Sequence, residues 1–174
     1  MELKRVVVTG LGAVTPLGLN VDETWEALLN GVSGAGPITH FDASQFKTQF
    51  ACEVKNFDPT LYLDKKEVRK FDRYAQFAVA AAKEAVGDSA LDLEKVDKNR
   101  VGVIFAAGIG GIRTFEEEVG GYFTNIERGP KFNPFFIPKM IADIAAGHIS
   151  MIYGFHGPNS VSYTHLTLPT SDLV

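Results

Sequence analysis

Apolar and polar positions along this chain switch between a strand-like and a helix-like rhythm. The run from Arg5 to Val8 is rich in β-branched residues and ends at Thr9-Gly10. It predicts a buried strand that feeds the glycine-rich turn GLGAVTPLG. Asn20 then supplies a helix cap, with Glu23 three residues on as in a capping box. Trp25, Leu28 and Leu29 give that helix one apolar face, and Gly31 ends it. Residues 33–48 read as loop, Gln49–Val54 as a short strand, and Asp58-Pro59 as a turn. A second helical region begins near Asp64 with a dense charge run. Past Asp72 it continues as AQFAVAAAKEAV, whose alanines predict close packing on a neighbour. Val101–Ala106 reads as a second buried strand, ending in the glycine turn Gly108–Gly111. A helix is expected near Arg113–Glu118, then a long loop over 121–133 and an aromatic patch of Phe132, Phe135 and Phe136. Pro138 sits where a helix can start, and Ile141, Ile144, Ala145 and His148 share one helical face. Gly154 and Gly157-Pro158 close the segment. Strand, helix, strand, helix is the order of a mixed, layered α/β fold.

Composition narrows the function classes. With 174 residues, 45% apolar and 22% charged, the chain is long enough and apolar enough for one globular domain. A net charge of −4 argues against a general nucleic-acid binder. The single cysteine, Cys52, excludes an internal disulfide and fits a reducing compartment. The N-terminal MELKRVVVTGLG is interrupted too early for a signal peptide, and no run approaches the roughly 18 to 20 apolar residues of a membrane span. A cytoplasmic protein away from membranes is expected.

Each candidate for chemistry has a plainer alternative. The turn Gly10-Leu11-Gly12-Ala13-Val14-Thr15 invites a dinucleotide reading. The third glycine is absent, Pro16 follows at once, and no acid-ended strand lies about 20 residues on. A tight strand exit in a packed core is the expectation. The turn Gly108-Ile109-Gly110-Gly111 allows close approach of a ligand or another backbone, or is a plain turn. Cys52 lies in an extended apolar context with no helix start or base beside it, so a structural role is expected. None of His40, His148, His156 and His165 has metal-ligand spacing. His148 reads as a buried, hydrogen-bonded histidine rather than a catalytic one. No cofactor and no metal are expected. Lys66, Arg69, Lys70 and Arg73 recur at i, i+3, i+4 and i+7, so one helix face would be cationic, softened by Asp64, Glu67 and Asp72. Such a face is either solvated or a dock for an acidic partner.

The segments KRVVVTGLGAVTPLG, ETWEALLNGVSG, HFDASQF, FACEVKNFDP, KKEVRKFDRYAQFA, GIGGI and NPFFIPKMIADIAAGHISMIYGFHGPN are collinear over about residues 3–159. Together they resemble the N-terminal half of the β-ketoacyl-acyl-carrier-protein synthases, among them the type II elongating condensing enzymes of fatty-acid synthesis. The resemblance implies a thiolase-like layered α/β fold of two similar halves, with only the N-terminal half in this chain, and a homodimer. It implies a decarboxylative Claisen condensation of an acyl thioester with malonyl-carrier protein, and an acidic acyl carrier protein as partner. It places Ile109 in the acyl pocket and Phe136 as the aromatic that closes this pocket across the dimer interface. It assigns Lys66, Arg69 and Lys70 to carrier-protein docking, with Lys131 as an extension. Cys52 and His148 match no catalytic position of the family. Its nucleophilic cysteine follows shortly after the Gly157-Pro158-Asn159 segment, and two histidines come much later. No cysteine follows Asn159 here, so no catalytic residue is assigned in this chain. The expected division is a ketoacyl synthase half over 1–159 and a foreign tail over 160–174. Within that tail, VSYTHLTLPT can be encoded by a string resembling a transposase adapter used in library preparation. A polyketide-type ketosynthase and a non-catalytic chain-length-factor subunit are the alternatives to a fatty-acid enzyme.

Overall fold

A computed structural model describes residues 5–129 and 131–161. The chain divides into two compact units, Met1–Asp58 with Ala80–Leu91, and Pro59–Val79 with Asp92–Val174.

In the first unit the glycine turn settles on the C-terminal part of a long helix, α3 (Arg73–Asp88). A Cβ added at Gly10 would overlap the Ala85 carbonyl oxygen, and one at Gly12 the Ala81 carbonyl oxygen. Two glycines and a small-residue helix therefore let backbone approach backbone, as the alanine run predicted. Polar contacts fix the approach. The Leu11 amide donates to Asp88 (2.8 Å), and the Ala13 and Val21 amides donate to the two oxygens of Glu84 (2.9 and 2.8 Å). Helix α1 (Val21–Leu29) begins at Asn20, whose side chain accepts from the Glu23 amide (2.8 Å). Glu23 in turn accepts from Leu19 rather than from the cap residue, a one-residue slip of the expected capping box. Strands β1 (Gly36–Pro37) and β2 (Phe50–Ala51) pair antiparallel, with Gly36 opposite Ala51.

Two expectations for this unit are overturned. Arg5–Val8 is not a buried strand: Val6 is 90% and Val8 79% exposed, and no ladder forms there. The cause is the lack of a neighbour. A β-branched run is buried only when strands or helices cover it, and the described residues supply none. Trp25, Leu28 and Leu29 on α1 are likewise exposed.

The second unit holds α2 (Lys65–Lys70), the start of α3, β3 (Val103–Ile104), α4 (Ile112–Thr124), α5 (Phe136–Met140), α6 (Ile144–Tyr153) and β4 (Asn159–Ser160). Its core gathers Leu63, Phe71, Ala75, Ala78, Ala145, Ala146, Ile149 and Phe155. Strands β3 and β4 pair in parallel, Val103 opposite Asn159 and Ile104 opposite Ser160. The ladder is shorter than expected from Val101–Ala106, and Ile104 is 71% exposed, so this strand is not buried. The expected loop over 121–133 begins as helix: α4 runs to Thr124, and a 3-10 turn covers Ile126–Arg128. The face Ile141-Ile144-Ala145-His148 is split, because Ile141 turns extended (ψ 138°) as it ends α5, before α6 begins. Gly154 closes α6 in the left-handed region (φ 67°).

Ser160 takes its place in the β3 ladder through backbone bonds alone, which are indifferent to side chain. The rest of the expected foreign tail, from residue 162, and His165 within it lie outside the described residues. Among the described residues no helix is long and apolar enough to cross a membrane.

Candidate functional site

The cationic segment is built around Asp64. This residue caps α2, accepting from the amides of Lys66 (2.7 Å) and Glu67 (2.8 Å), and Glu67 reaches back to the Asp64 amide (3.4 Å). The box compensates for the shortness of a six-residue helix, which would be marginal by itself. The Glu67 amide, then that of Lys66 and the charges of Lys66 and Lys70, hold the Asp64 carboxyl below its ordinary range. Lys66, Arg69 and Lys70 are all exposed, and none enters an ion pair among the described residues. The Lys70 ammonium lies 5.5 Å from the centre of the Phe135 ring, a cation–π distance.

The expected four-residue cationic face does not form. Phe71 ends α2 in an extended conformation, and Arg73 opens α3, half-buried with its guanidinium 5.2 Å from the Phe77 ring. Asp72 causes the break. Its carbonyl accepts the first bond of α3 from Gln76 (3.1 Å), and its carboxylate caps the Tyr74 amide (3.2 Å).

That carboxylate has a second set of partners. Asp72 is buried, and its other oxygen accepts from the Thr114 amide (3.3 Å) and hydroxyl (2.5 Å) in the first turn of α4. The sequence offered Asp72 only as a charge diluting a basic run. The missed signal is an aspartate placed directly before a stretch of strong helix formers. Tyr74 extends the set by donating its hydroxyl to the Ile141 carbonyl (2.5 Å). Burial, with Asp72 and Asp143 adding negative charge, pushes the Tyr74 phenol up to about 12.

The second glycine turn lies against the same junction. Gly110 has φ +81°, and a Cβ there would overlap the Met140 carbonyl oxygen, which itself accepts from the Gly111 amide (2.8 Å). Of the readings left open, the structure supports close approach of another backbone. The turn carrying Ile109 lies against the C-terminal end of α5, whose first residue is Phe136. Ile109 is 69% exposed. Phe136 is half-buried, stacked on Phe132 at 5.7 Å and 6.3 Å from Phe115, while Tyr122 stacks on Phe132 at 5.6 Å. The cluster is larger than the local run of phenylalanines indicated, because α4 contributes Phe115 and Tyr122.

His148 stacks on Phe71 with ring centres 3.6 Å apart. It is half-buried, and its imidazole makes no hydrogen bond among the described residues, so the expected hydrogen-bonded histidine is replaced by a ring stack. Burial holds its pKa below the ordinary value. Cys52 is exposed in the first unit just after β2. Among the described residues no three His, Cys, Asp or Glu side chains could hold a metal ion. Two amides of the first glycine turn, those of Leu11 and Ala13, donate to Asp88 and Glu84 rather than facing a dinucleotide phosphate.

Residues 3–165 match the family model of the β-ketoacyl synthase N-terminal domain. The chain belongs to the β-ketoacyl synthase family. This ketoacyl synthase domain is 48% identical over 159 residues to a 3-oxoacyl-[acyl-carrier-protein] synthase 2 from Coxiella burnetii, covering 91% of the chain and 38% of that relative. It is 41% identical over 171 residues to the enzyme of the same name from Staphylococcus aureus strain COL, covering 98% of the chain and 41% of the relative. The chain thus spans about two-fifths of the length of the curated relatives it matches. Among solved structures, the ishigamide ketosynthase/chain length factor aligns with a TM-score of 0.76 at 26% identity, over 90% of this chain and 38% of that one. A type II polyketide acyl-carrier protein in complex with its ketosynthase aligns at 0.68 and 28%, over 88% and 40%. The ketoacyl synthase domain therefore has the thiolase-like α/β fold of ketosynthases, represented by its N-terminal part.

Proposed function

We propose that this chain supplies the N-terminal domain of a 3-oxoacyl-[acyl-carrier-protein] synthase that extends fatty acyl chains. The observation that carries the reading is collinear identity of 41 to 48% to enzymes of that name, spanning nearly the whole chain. In the reaction an acyl group passes from its carrier to a cysteine thiolate. Malonyl-carrier protein then loses carbon dioxide, and the carbanion so formed attacks the acyl thioester carbonyl. A carbon–carbon bond forms, the cysteine thiolate leaves, and the product is a 3-oxoacyl chain two carbons longer. Cys52 is not that thiol. It is exposed just after β2, and no helix begins at it.

Lys66, Arg69 and Lys70 dock the acidic carrier protein. Three exposed cations without ion-pair partners, on a helix fixed by a capping box, present a ready counter-charge. Ile109 lines the acyl pocket, and Phe136 closes it from the neighbouring subunit of a homodimer in the cytoplasm. A solved relative that holds an acyl-carrier protein with its ketosynthase supports the docking assignment. A polyketide-type ketosynthase is the second reading, favoured by those solved structures but at only 26 to 28% identity.

The test uses the full-length product of the source gene, acyl-carrier protein and malonyl-carrier protein. The expected product is the 3-oxoacyl thioester two carbons longer. The triple variant Lys66→Glu, Arg69→Glu, Lys70→Glu should raise KM for the acyl-carrier protein at least about tenfold, with little change in kcat. Raising the salt should narrow the gap between the two proteins, because exposed charges are screened. No product from the wild type would sink the enzymatic reading. An unchanged KM would sink the docking assignment alone.

A further inference from the structure

We infer that Asp72, through Thr114, is a positioning residue that sets the depth of the acyl pocket. The inference rests on the reading of Ile109 as a pocket residue. Its own basis is geometric. One buried carboxylate ties the start of α3 (Tyr74 amide, 3.2 Å) to the start of α4 (Thr114 amide, 3.3 Å, and hydroxyl, 2.5 Å). The glycine turn carrying Ile109 runs directly into α4, so this bond holds the exit of the turn. A Cβ at Gly111 would stand 3.0 Å from the same Asp72 oxygen and 2.6 Å from the Lys139 carbonyl oxygen. The turn is thus trapped between the carboxylate and the end of α5. Tyr74 completes the clamp by donating to the Ile141 carbonyl just beyond α5.

A carboxylate is suited to this task because it offers two oxygens to two helix starts at once, and both ends favour negative charge. Asparagine in its place could accept on one side only. A loosened bond lets the turn slide by a fraction of a side chain. That changes which acyl length fits without touching the reacting atoms.

The decisive experiment takes the full-length protein and compares kcat/KM for a series of acyl-carrier proteins of increasing acyl length. Thr114→Val removes the hydroxyl donor at nearly constant shape, and Thr114→Ser keeps it. In Thr114→Val the ratio of long-chain to short-chain kcat/KM is expected to move by about tenfold, the discrimination that one methylene of fit carries. Thr114→Ser should restore the wild-type ratio. Asp72→Asn, as the second variant, should move the ratio in the same direction as Thr114→Val. If the valine protein folds and the ratio is unchanged, or all lengths slow equally, the bond is merely structural and the inference fails. If Thr114→Val does not fold, a wild-type ratio in Asp72→Asn overturns the inference in its place. A wild type inactive on every length would instead overturn the proposed function itself.

Discussion

At the scale of single residues, the clearest case is the pair Gly12 and Gly87. Gly12 faces the carbonyl of Ala81 with no room for a methyl group, whereas a Cβ on Gly87 meets nothing within 4 Å in α3. Gly12→Ala should therefore force the turn off the helix and destabilise by about 1–3 kcal/mol, the usual cost of overpacking. Gly87→Ala should stabilise by up to about 1 kcal/mol, through helix propensity alone. Denaturant midpoints of the two variants in the full-length protein check both signs, and equal shifts would show that the close approach is not real. The sequence disclosed the tight turn and the alanine helix separately. That they are each other's partner was not legible, because 71 residues separate Ala13 from Glu84, the side chain that receives its amide. Asp72 was illegible for the same reason. Besides the nearby Tyr74 amide, its polar partners lie on Thr114, 42 residues away, and no local pattern announces such a pairing.

At the scale of elements, the caps were readable and the breaks were not. Asn20 caps where expected, and Asp64 caps at the expected start of the second helical region, because capping is a local matter of one side chain and the next turn. The charge spacing through Lys66–Arg73 remained helical across a point where the helix ends, since periodicity carries no information about ψ at Phe71. The junction between α5 and α6 is a similar break, and here Tyr74 anchors it. This anchor has a pH signature. The Tyr74 phenol ordinarily titrates near 10 and is raised to about 12 in the fold, first by burial and then by Asp72 and Asp143. A raised folded-state pKa means the contribution is fully present below pH 10 and is lost as pH climbs towards 12. Stability measured against pH in the full-length protein should fall across that window. Tyr74→Phe should flatten the fall while costing about 1 kcal/mol at neutral pH for the lost hydrogen bond. An equally steep alkaline fall in the phenylalanine variant would show that another group is responsible.

At the scale of the whole chain, what remains uncovered is as informative as what is packed. In the first unit Val6, Val8, Trp25 and Leu29 are exposed, and in the second Ile104, Ile109 and Met151 are. Val6, Val8 and Ile104 read as buried strand and Trp25 and Leu29 as the apolar face of a helix, yet the described residues leave all of them exposed. Large apolar side chains so exposed favour association. The chain spans about two-fifths of the length of its curated relatives. The 174-residue chain by itself should accordingly self-associate, with apparent mass rising with concentration in light scattering, and should bind a hydrophobic dye more strongly than the full-length protein does. Charge does not prevent this, since a net −4 spread over the whole chain is modest. Replacing Val6 and Val8 by threonine keeps the β-branched shape and removes apolar surface. That double variant should lower both signals if the N-terminal run is a contact surface. A chain that stays monomeric at all concentrations, with no dye response, would mean that these side chains find cover within the chain itself.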